Sequence, residues 1–489
     1  MDFFYSCLVV FNLRSYIILI IVYSNNSGVT PMPQKFSTLA LSDKMLNNLE
    51  RLKYTEMTPV QERSLPLLLK GDDLIAQAQT GSGKTAAFGI FLLHQLDVSD
   101  VKVQSAIICP TRELCEQVAN ELRRLARFQD NIKILTLVGG EAVYPQKVAL
   151  EKGVHIIVGT PGRIMDTITK GHLNLDTVKT LVLDEADRML DMGFHDDISA
   201  IINYIPKKRQ TLLFSATFED ETKKLSKKFQ NDAQFVHIVP QESERTITQH
   251  FYKVEQDQKI EAVEALITRN KINACIIFCN MKLTCDDVAE ELHMRGYDAA
   301  ALHGDMEQKD RNEVLIRFTN ESLSILVATD VAARGIDIKD LPAIINYDVS
   351  TQSEVHMHRI GRTGRMGKEG LAFTLVSPKE LHSLKAIEHY AKENYALESI
   401  KELKIDKNFD KTAPMRTLKI LGGKKDKLRA GDFVGALSGE LGFKGDAIGK
   451  ISVLDRMSYI AIRKELFYAM QLKDDRLKVK KSRYRYIKL

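Results

Sequence analysis

A run of small residues ending in Lys and Thr is the first feature of this sequence that could do chemistry. AQTGSGKT lies between a strand-like run, DDLIAQA, and a helix-like run, AAFGIFLL. Small residues allow a tight turn whose N–H groups surround phosphate at a helix N-terminus. Lys84 would reach the β- and γ-phosphates of a nucleotide, and Thr85 would hold Mg²⁺. The predicted phosphate-binding residues are Ala78 (where the general pattern has Gly), Gln79, Thr80, Gly81, Ser82, Gly83, Lys84 and Thr85.

Two adjacent carboxylates follow an apolar run in the segment TLVLDEAD. Ligands of an open α/β sheet bind beyond the carboxyl ends of its strands, which is where Asp184 and Glu185 would lie. Asp184 could hold the Mg²⁺ shell, while Glu185 could orient and deprotonate an attacking water. Adjacent Asp and Glu residues more often cap helices, but the phosphate site upstream favours nucleotide hydrolysis here.

Strand-like and helix-like segments alternate from Met32 onward, which predicts βαβ units and a doubly wound parallel sheet. The alternation pauses in the polar stretch PQESERTITQ and then resumes, so we expect two similar α/β domains that meet across a cleft. A third unit follows, with the order strand, helix, two strands, helix and strand of a split βαβ fold. The predicted domains are 32–238, 250–397 and 413–489, joined by linkers at 239–249 and 398–412.

Charge is unevenly distributed along the chain. The net charge of the 489 residues is +5, but residues 413–489 contain 19 Lys and Arg against 8 Asp and Glu. The other 412 residues contain 50 Lys and Arg against 56 Asp and Glu, which leaves them slightly acidic. A basic unit attached to an acidic body indicates a polyanionic partner, most simply nucleic acid, although a solvated basic face would have the same composition.

The first 31 residues differ from the rest of the sequence. They include the apolar run YIILIIVY, but they lack the basic start and the small-residue cleavage site of a secretory signal. Asn12 and Arg14 interrupt the apolar stretch, which disfavours a membrane span. We expect residues 1–31 to be an extension from a non-native start or a disordered tail, with a membrane anchor as the alternative.

The six cysteines show neither a CxxC pair nor an accompanying His cluster, which disfavours a zinc site. Their spacing also does not indicate a disulfide framework. In a long chain this usage is typical of reduced thiols that pack inside domains, so we expect a cytoplasmic protein.

The motifs occur in an order that resembles the DEAD-box RNA helicases over about residues 36–390. After AQTGSGKT come PTRELCEQV, the pair Gly139–Gly140, TPGR, DEAD, SAT, IIFCN, QKDR, ATDVAARGIDI and HRIGRTGR. Each motif alone would be weak evidence, whereas the ordered set is specific. The resemblance implies two tandem RecA-like domains, the cofactors ATP and Mg²⁺, and RNA-dependent ATP hydrolysis.

The resemblance also implies roles for residues around the nucleotide. Gln61 would bind the edge of adenine, since an amide both donates and accepts, and Phe36 would stack on its face. Arg362 and Arg365 would contact the γ-phosphate from the second domain and stabilise charge in the transition state. The other residues implied are Gly335 and Asp337 at the ribose, and Ser215, Thr217 and His358 in coupling nucleotide state to domain closure.

RNA would lie across both domains, on the side away from the nucleotide. Hydroxyls, glycine amides and arginines suit phosphate and sugar contacts, and contacts to 2′-hydroxyls favour RNA over DNA. Closure on ATP would bend one strand and release its partner, which implies local unwinding rather than translocation. The RNA contacts implied by the resemblance are Arg112, Gly140, Thr160, Gly162, Arg163, Arg311, Thr329 and Asp330.

Residues 413–489 resemble the RNA-binding domain of the bacterial DbpA subgroup, through TLKILGGKKDKLRAGDFVGAL and IGKISVLD. The subgroup implies an RRM-like fold and, as partners, a 23S rRNA hairpin and pre-50S particles in assembly of the large ribosomal subunit. The aromatic RNP1 pattern is absent, so we expect binding through basic side chains, with Tyr459 as a further sheet-face contact. Strand packing is the expected role of Tyr484 and Tyr486. The basic residues singled out are Lys424, Lys425, Lys427 and Arg429.

Two alternatives fit the same motifs. A general cold-shock or mRNA-turnover helicase would use the basic unit for loose RNA binding. An ATP-gated RNA clamp would hydrolyse ATP without productive unwinding. A DNA helicase is disfavoured by the forms ATDVAARGID and HRIGRTGR. We expect a monomer that binds no membrane.

Overall fold

The computed structural model describes residues 9–13, 16–20, 34–79, 81–218, 220–238, 247–333, 341–364, 369–470 and 475–489. The chain divides into two compact units, Met1–Pro240 and Gln241–Leu489. The first unit contains one α/β domain, and the second contains another α/β domain followed by a small antiparallel domain.

Two short strands near the N-terminus, β1 (Val9–Leu13) and β2 (Tyr16–Ile20), pair with each other in antiparallel fashion. They belong to the segment predicted to be an extension, the rest of which lies outside the described residues, so that prediction stays a prediction. Across the part of the chain that the structure describes, no helix has both the length and the apolar character needed to cross a membrane.

Seven parallel strands form the sheet of the first α/β domain. The strands are β3 (Leu74–Gln77), β4 (Ser105–Ile108), β5 (Ile134–Leu137), β6 (Ile156–Gly159), β7 (Thr180–Asp184), β8 (Gln210–Ser215) and β9 (Gln234–His237). The helices are α1 (Asp43–Arg51), α2 (Pro59–Lys70), α3 (Lys84–Gln95), α4 (Arg112–Leu125), α5 (Val143–Glu151), α6 (Pro161–Thr169), α7 (Ala186–Asp191), α8 (His195–Asn203) and α9 (Asp220–Phe229).

The order of strands in this sheet is β5-β6-β4-β7-β8-β3-β9. Successive side chains of a strand point to opposite faces. Ile107 and Val182 belong to one hydrophobic cluster, whereas their neighbours Ile108 and Leu183 belong to another. The sheet therefore has a core on each face, as the continuous apolar runs of its strands predict for parallel sheets. The doubly wound fold expected from the sequence is confirmed.

The second α/β domain repeats this plan with the strand order β12-β13-β11-β14-β15-β10-β16. Its strands are β10 (Ile247–Lys253), β11 (Cys275–Cys279), β12 (Ala299–Leu302), β13 (Ile325–Thr329), β14 (Ala343–Asn346), β15 (Gly370–Val376) and β16 (Leu397–Ser399). Its helices are α10 (Lys259–Arg269), α11 (Lys282–Met294), α12 (Gln308–Thr319), α13 (Asp330–Ala333), α14 (Ser353–Ile360) and α15 (Leu381–Ala391). Strand β10 begins inside the segment predicted as the first linker, because Ile247–Gln249 belong to the largely polar stretch PQESERTITQ that was assigned to that linker.

The third domain forms a five-stranded antiparallel sheet of order β18-β19-β17-β21-β20, with two helices. Its elements are β17 (Met415–Ile420), α16 (Ala430–Leu441), β18 (Ile448–Val453), β19 (Ser458–Arg463), α17 (Lys464–Ala469), β20 (Arg476–Val479) and β21 (Ser482–Lys488). The predicted RRM-like order is confirmed, with one strand added. Strand β20 escaped prediction because its four residues, RLKV, are half basic and lack a distinct apolar run.

One face of the third domain's sheet lies against helix α12 of the second domain. Lys419 and the hydroxyl of Tyr459 both bind the carboxylate of Glu313, at 2.5 and 3.2 Å. At the end of the helix, Asn320 donates to the hydroxyl of Thr417 at 3.0 Å. Tyr459 is only 1% exposed. The expectation that Tyr459 offers a sheet-face contact to RNA is therefore wrong for this arrangement, because a protein helix covers it.

Candidate active site

The phosphate-binding segment connects strand β3 to helix α3, as the sequence predicts. Gly81 and Gly83 have φ values of +88° and +97°, a region that favours glycine. Lys84 is the first residue of α3 and is buried, and its Nζ donates to the carbonyl of Ala78 at 2.7 Å. The hydroxyl of Ser82 donates to the carbonyl of Gln79 at 2.8 Å. The loop thus curls around the lysine, at a helix N-terminus suited to phosphate.

Gln61 lies directly against this loop. Its Nε2 donates to the carbonyl of Gly83 at 3.1 Å, and its Oε1 accepts from the backbone N–H of Thr58 at 2.9 Å. A Cβ on Gly83 would lie 2.6 Å from that Nε2, so a side chain has no room there. An amide has two donor hydrogens and an acceptor with two lone pairs. Gln61 therefore keeps one donor hydrogen and one acceptor lone pair, but its side chain is buried, and the adenine contact stays a prediction.

Phe36 is packed more tightly than its expected role requires. The ring is 3% exposed and meets the ring of Tyr54 edge to face, with centroids 6.1 Å apart. Tyr54 in turn donates to Glu121 and accepts from Arg124. The structure thus gives Phe36 a place in the core, and the adenine-stacking contact stays a prediction that needs one ring face to be uncovered.

Asp184 ends strand β7 and is buried. Burial raises the pKa of its carboxyl to about 7, Lys84 opposes that shift, and Glu185 adds to it. A carboxylate in this position is stabilised by any cation that approaches it. Mg²⁺ binds proteins through one or two carboxylates together with waters and substrate phosphates. The pair Thr85 and Asp184 fits that coordination, and the described residues contain no cluster of three or more His, Cys, Asp or Glu that could hold a metal.

Glu185 adopts a left-handed backbone conformation, with φ of +54°, between β7 and α7. This conformation is uncommon for a residue with a side chain and is found at functional sites. Arg188 donates to the Glu185 carboxylate at 3.0 Å, and both side chains are almost completely buried. The arginine fixes the carboxylate in one orientation at the carboxyl edge of the sheet.

Asp187 connects the Asp184–Glu185 segment to the SAT segment, Ser215–Thr217. The sequence analysis did not identify Asp187 as a functional residue. Its carboxylate accepts from the N–H of Ala216 at 3.1 Å and from the N–H and hydroxyl of Thr217 at 2.8 and 3.0 Å. Its own N–H donates to the hydroxyl of Ser215 at 3.3 Å. Burial alone would raise the pKa of the Asp187 carboxyl, but the hydrogen bonds from Thr217 and the nearby charge of Lys84 hold that pKa below its ordinary value. The last position of the DEAD tetrapeptide was the available signal.

The predicted nucleotide and RNA residues occupy different halves of the sheet edge. The phosphate loop, the Asp184–Glu185 pair and the SAT segment follow β3, β7 and β8. The predicted RNA contacts of this domain follow β4, β5 and β6. Since the order is β5-β6-β4-β7-β8-β3, each set comes from three adjacent strands, and the sets meet between β4 and β7. Both lie at the carboxyl edge, where parallel sheets bind ligands.

The predicted RNA contacts of the first domain form a connected group. Arg163 donates to the side chain of Gln146 at 3.0 Å and to the carbonyl of Glu141 at 3.3 Å. Gly140 has a φ of +75°. The guanidinium of Arg112 lies against Gly139, where a Cβ would be 3.3 Å from the nearest guanidinium nitrogen. Thr160 and Gly162 are the N-cap and second residue of α6. Cations and open backbone are thus collected at one surface.

In the second domain, Arg359 is the centre of a buried network. The guanidinium is 1% exposed and binds both carboxylate oxygens of Asp330 at 2.7 Å, the carbonyl of Asp348 at 2.7 Å and the side chain of Asn280 at 2.8 Å. Sequence reasoning missed this residue, although it lies inside HRIGRTGR. Arg359 uses one acceptor site on each oxygen of the Asp330 carboxylate, and the RNA contact of Asp330 stays a prediction.

The other predicted residues of this domain also follow the strand order. Thr329 ends β13 and is buried, and Arg311 lies in the first turn of α12 after β12. His358 is exposed on α14, and Arg362 follows the end of that helix and is nearly buried. The RNA residues again come from adjacent strands, β12 and β13. Four predicted residues lie outside the described part of the chain: Thr80, Gly335, Asp337 and Arg365.

We expect His356 to make the second domain sensitive to acid, because this ring is buried. Burial, and then the neighbouring Arg359, lower the pKa of His356 to about 4, and its Nε2 lies 3.2 Å from the side-chain oxygen of Gln249. Because the pKa of His356 in the folded protein is below the ordinary 6.5, folding favours the neutral ring. The contribution of the neutral ring to folding stability is present above pH 6.5 and is lost as the pH falls towards 4. The free energy of unfolding would fall by about 3 kcal/mol across that pH range.

We expect His356→Gln to remove this acid sensitivity. Urea unfolding followed by circular dichroism at pH 7.0 and 4.5 should show a wild-type midpoint that falls more than that of the variant. His389→Gln, at an exposed position of α15, is the matched control and should follow the wild type. Equal falls in the wild type and His356→Gln would contradict the prediction.

Comparisons with known proteins decide which family has this architecture. Three family models match: DEAD/DEAH box helicase over residues 58–225, Helicase conserved C-terminal domain over 258–367, and DbpA RNA binding domain over 417–485. The ATP-dependent RNA helicase DbpA of Escherichia coli (strain K12) is 46% identical over 462 residues, covering 93% of this chain and 99% of that protein. The chain belongs to the DbpA subfamily of DEAD-box RNA helicases.

More distant relatives match only part of this helicase. The ATP-dependent RNA helicase CshA of Listeria monocytogenes is 44% identical over 359 residues, covering 73% of this chain and 69% of that protein. The solved structure of Saccharomyces cerevisiae Dbp5 bound to RNA and ADP BeF3 is 30% identical and superposes with a TM-score of 0.68, covering 76% of this chain and 96% of the other. The DEAD-box helicase therefore uses ATP and has RNA as its partner.

The DbpA-type domain presents its basic loop, Gly422–Arg429, on a fixed backbone. The N–H groups of Lys424 and Lys425 donate to the carbonyls of Leu454 and Asp455, at 2.8 and 2.9 Å. A Cβ on Gly423 would lie 2.2 Å from the Leu454 carbonyl, so this helicase needs glycine there. The side chains that the sequence singled out are all exposed: Lys424, Lys425, Lys427 and Arg429.

Tyr484 and Tyr486 pack as the sequence predicts. Tyr486 is buried in the core of the third domain, and Tyr484 packs against that core. The ring of Tyr484 also covers Gly422, where a Cβ would lie 2.4 Å from it. Strand packing is thus confirmed for both residues, and Tyr484 supports one end of the basic loop.

Proposed function

We propose that this DEAD-box helicase is tethered by residues 413–489 to a 23S rRNA hairpin and locally unwinds short duplexes in pre-50S particles in the cytoplasm. The observation that carries the proposal is the match of the DbpA RNA binding domain to residues 417–485, combined with a fixed loop of exposed cations in that domain. Specific recognition needs donors held in one geometry, because ordering a mobile loop on binding costs conformational entropy.

ATP hydrolysis is the step that this chain's own residues would drive. The phosphate loop and Lys84 bind the β- and γ-phosphates, and Thr85 and Asp184 would hold Mg²⁺, which neutralises phosphate charge when bound. Glu185 orients the attacking water and accepts its proton. Arg362 and Arg365 stabilise charge on the transferred phosphoryl group. Of these roles, that of Glu185 is supported most directly, by the arginine that holds its carboxylate.

Asp187 is proposed as the connection between hydrolysis and RNA. It binds the SAT segment through two N–H groups and a hydroxyl, and it lies two residues after Glu185. A displacement of the Asp184–Glu185 segment would therefore be transmitted directly to Ser215 and Thr217. His358 is proposed to take part from the second domain.

RNA contacts are proposed at the surface made by Arg112, Gly140 and the Thr160–Arg163 segment, with Arg311 and Thr329 in the second domain. Their groups suit phosphate and sugar, so the helicase body would bind RNA without reading its sequence. Sequence preference would then come from the third domain. We propose that the protein acts as a monomer.

A binding scaffold is the second candidate, because an ATP-gated RNA clamp uses the same motifs. Strand displacement separates the two functions. A helicase should release the labelled strand of a short duplex placed beside the 23S hairpin in an ATP-dependent manner. A clamp would hydrolyse ATP on the same substrate and release no strand.

The rRNA assignment predicts which RNA stimulates ATP turnover. Fragments of 23S rRNA that carry the hairpin should stimulate hydrolysis more strongly than an equal mass of unstructured RNA, with Lys84→Ala as the blank. Lys424→Gln/Lys425→Gln should weaken 23S binding about tenfold or more, since a hydrogen bond to a charged group contributes roughly 1.5–3 kcal/mol. Lys401→Gln/Lys404→Gln, at exposed positions before the domain, is the matched control. Equal stimulation by both RNAs would refute the rRNA assignment and favour a general RNA helicase.

A further inference from the structure

The hairpin made by β20 and β21 carries pairs of like charges. In its antiparallel register Arg476 lies opposite Arg485, and Lys478 lies opposite Arg483. Directly opposed residues have Cβ atoms about 4.5–5.5 Å apart, and like charges there are destabilising. All four side chains are exposed, and they alternate with the buried Leu477 and Val479. Four cations thus share the outward face of one hairpin.

No carboxylate of the described residues pairs with a side chain of this face, although Glu440 accepts a hydrogen bond from the backbone N–H of Lys478 at 3.2 Å. Within the described residues, none of the four cations forms an ion pair with a carboxylate, whereas nearby Lys480 binds Asp432 at 2.8 Å. The hairpin keeps its shape because its inner face is part of the domain core. Packing therefore imposes the repulsion, and a bound polyanion would relieve it.

The cationic face continues two other surfaces of the molecule. Lys480 donates to the carbonyl of Lys427 at 2.8 Å, which joins the hairpin to the basic loop. In the register of the sheet, Ile487 lies opposite Lys419, and Arg483 and Arg485 precede Ile487 at alternate positions of β21. The cations thus lie on the same sheet face as Lys419, next to the part covered by α12.

We propose that the hairpin face of Arg476, Lys478, Arg483 and Arg485 is a second phosphate-binding surface for RNA. The inference rests on the proposed function and adds a site to it, separate from the basic loop. Arginine presents a planar fork that binds phosphate through two parallel hydrogen bonds. Side chains two residues apart on a strand are about 6.8 Å apart, so the two rows can contact successive phosphates of one strand.

The salt dependence of RNA binding tests the proposal, because each phosphate contact contributes about 0.7–0.9 to the slope of log affinity against log salt. Lys478→Gln/Arg483→Gln in the full-length protein should reduce the slope for a 23S hairpin fragment by about 1.5. The melting temperature should stay the same or rise, because a repulsive pair is removed. Lys379→Gln/Lys385→Gln, which removes the same charge from exposed positions around α15, should keep the wild-type slope.

Two results would overturn the inference. An unchanged slope would identify the four cations as a solvated face, and a melting temperature that falls together with affinity would identify a structural role. Parallel titrations with unstructured RNA of equal length keep the test separate from the rRNA assignment. If the wild type binds both RNAs equally, the rRNA assignment fails, yet a reduced slope of the variant on both RNAs still supports the surface.

Discussion

Replacing Glu185 with glutamine should lower RNA-stimulated ATP turnover by about 10²–10⁴-fold, the range that a positioned general base contributes. Glutamine has the same shape and can still accept the hydrogen bond that Arg188 donates at 3.0 Å, so the local fold should persist. It cannot accept a proton from the attacking water. The loss should therefore fall on turnover and leave the binding of ATP and RNA nearly unchanged.

Steady-state hydrolysis with saturating RNA and equilibrium binding of a fluorescent ATP analogue together check this prediction. Glu221→Gln, at an exposed position in the first turn of α9, makes the same chemical change away from the site and should behave as wild type. A general base contributes at least about 10²-fold. If Glu185→Gln kept more than about a tenth of wild-type turnover, the loss would be too small for a general base, and another group would have to take the proton.

Much of this site could be predicted from the sequence because motif residues follow apolar strands. A residue at the carboxyl end of a parallel strand is carried to one edge of the sheet whichever strand it follows. This places Lys84, Asp184 and Ser215 at the same edge although they are far apart in sequence. The strand order separates the predicted nucleotide-binding residues from the predicted RNA-binding residues. That order is a property of the assembled sheet and could not be predicted from the sequence.

The features that sequence reasoning missed depend on long-range contacts. Tyr459 was expected to meet RNA, but it meets Glu313, 146 residues earlier in the chain. Arg359 was hidden among the other arginines of HRIGRTGR, because residue type alone does not separate a buried arginine from one that meets phosphate. Strand β20 was missed because neighbouring strands and the core, rather than an apolar pattern of its own, hold it in place.

The two arginines Arg359 and Arg362 should fail in different ways when each is replaced by lysine. Lysine cannot reproduce the fork with which Arg359 binds both oxygens of Asp330 at 2.7 Å. Removing a partner from a buried ion pair costs about 3–5 kcal/mol. Arg359→Lys keeps a charge, so the lower end of that range applies, and the second domain should unfold at a lower temperature than in the wild type.

Arg362→Lys should instead lower turnover by as much as about 10³–10⁵-fold, the contribution of an arginine that stabilises the phosphoryl-transfer transition state. Its melting temperature should change little, since the Arg359 network that holds α14 stays intact. Differential scanning calorimetry and ATP turnover on the same preparations separate the two effects. Arg269→Lys, at an exposed position at the end of α10, is the matched control.

Two outcomes would contradict the different roles assigned to Arg359 and Arg362. If Arg362→Lys melted as early as Arg359→Lys and regained turnover on cooling, Arg362 would act through the fold and not through the γ-phosphate. If Arg359→Lys lost turnover without a change in melting temperature, the buried network would be part of the catalytic machinery. The expected outcome assigns one arginine of HRIGRTGR to holding the helix and the other to the reaction, because the whole guanidinium of Arg359 is bound within the domain and Arg362 is the arginine proposed to contact the γ-phosphate.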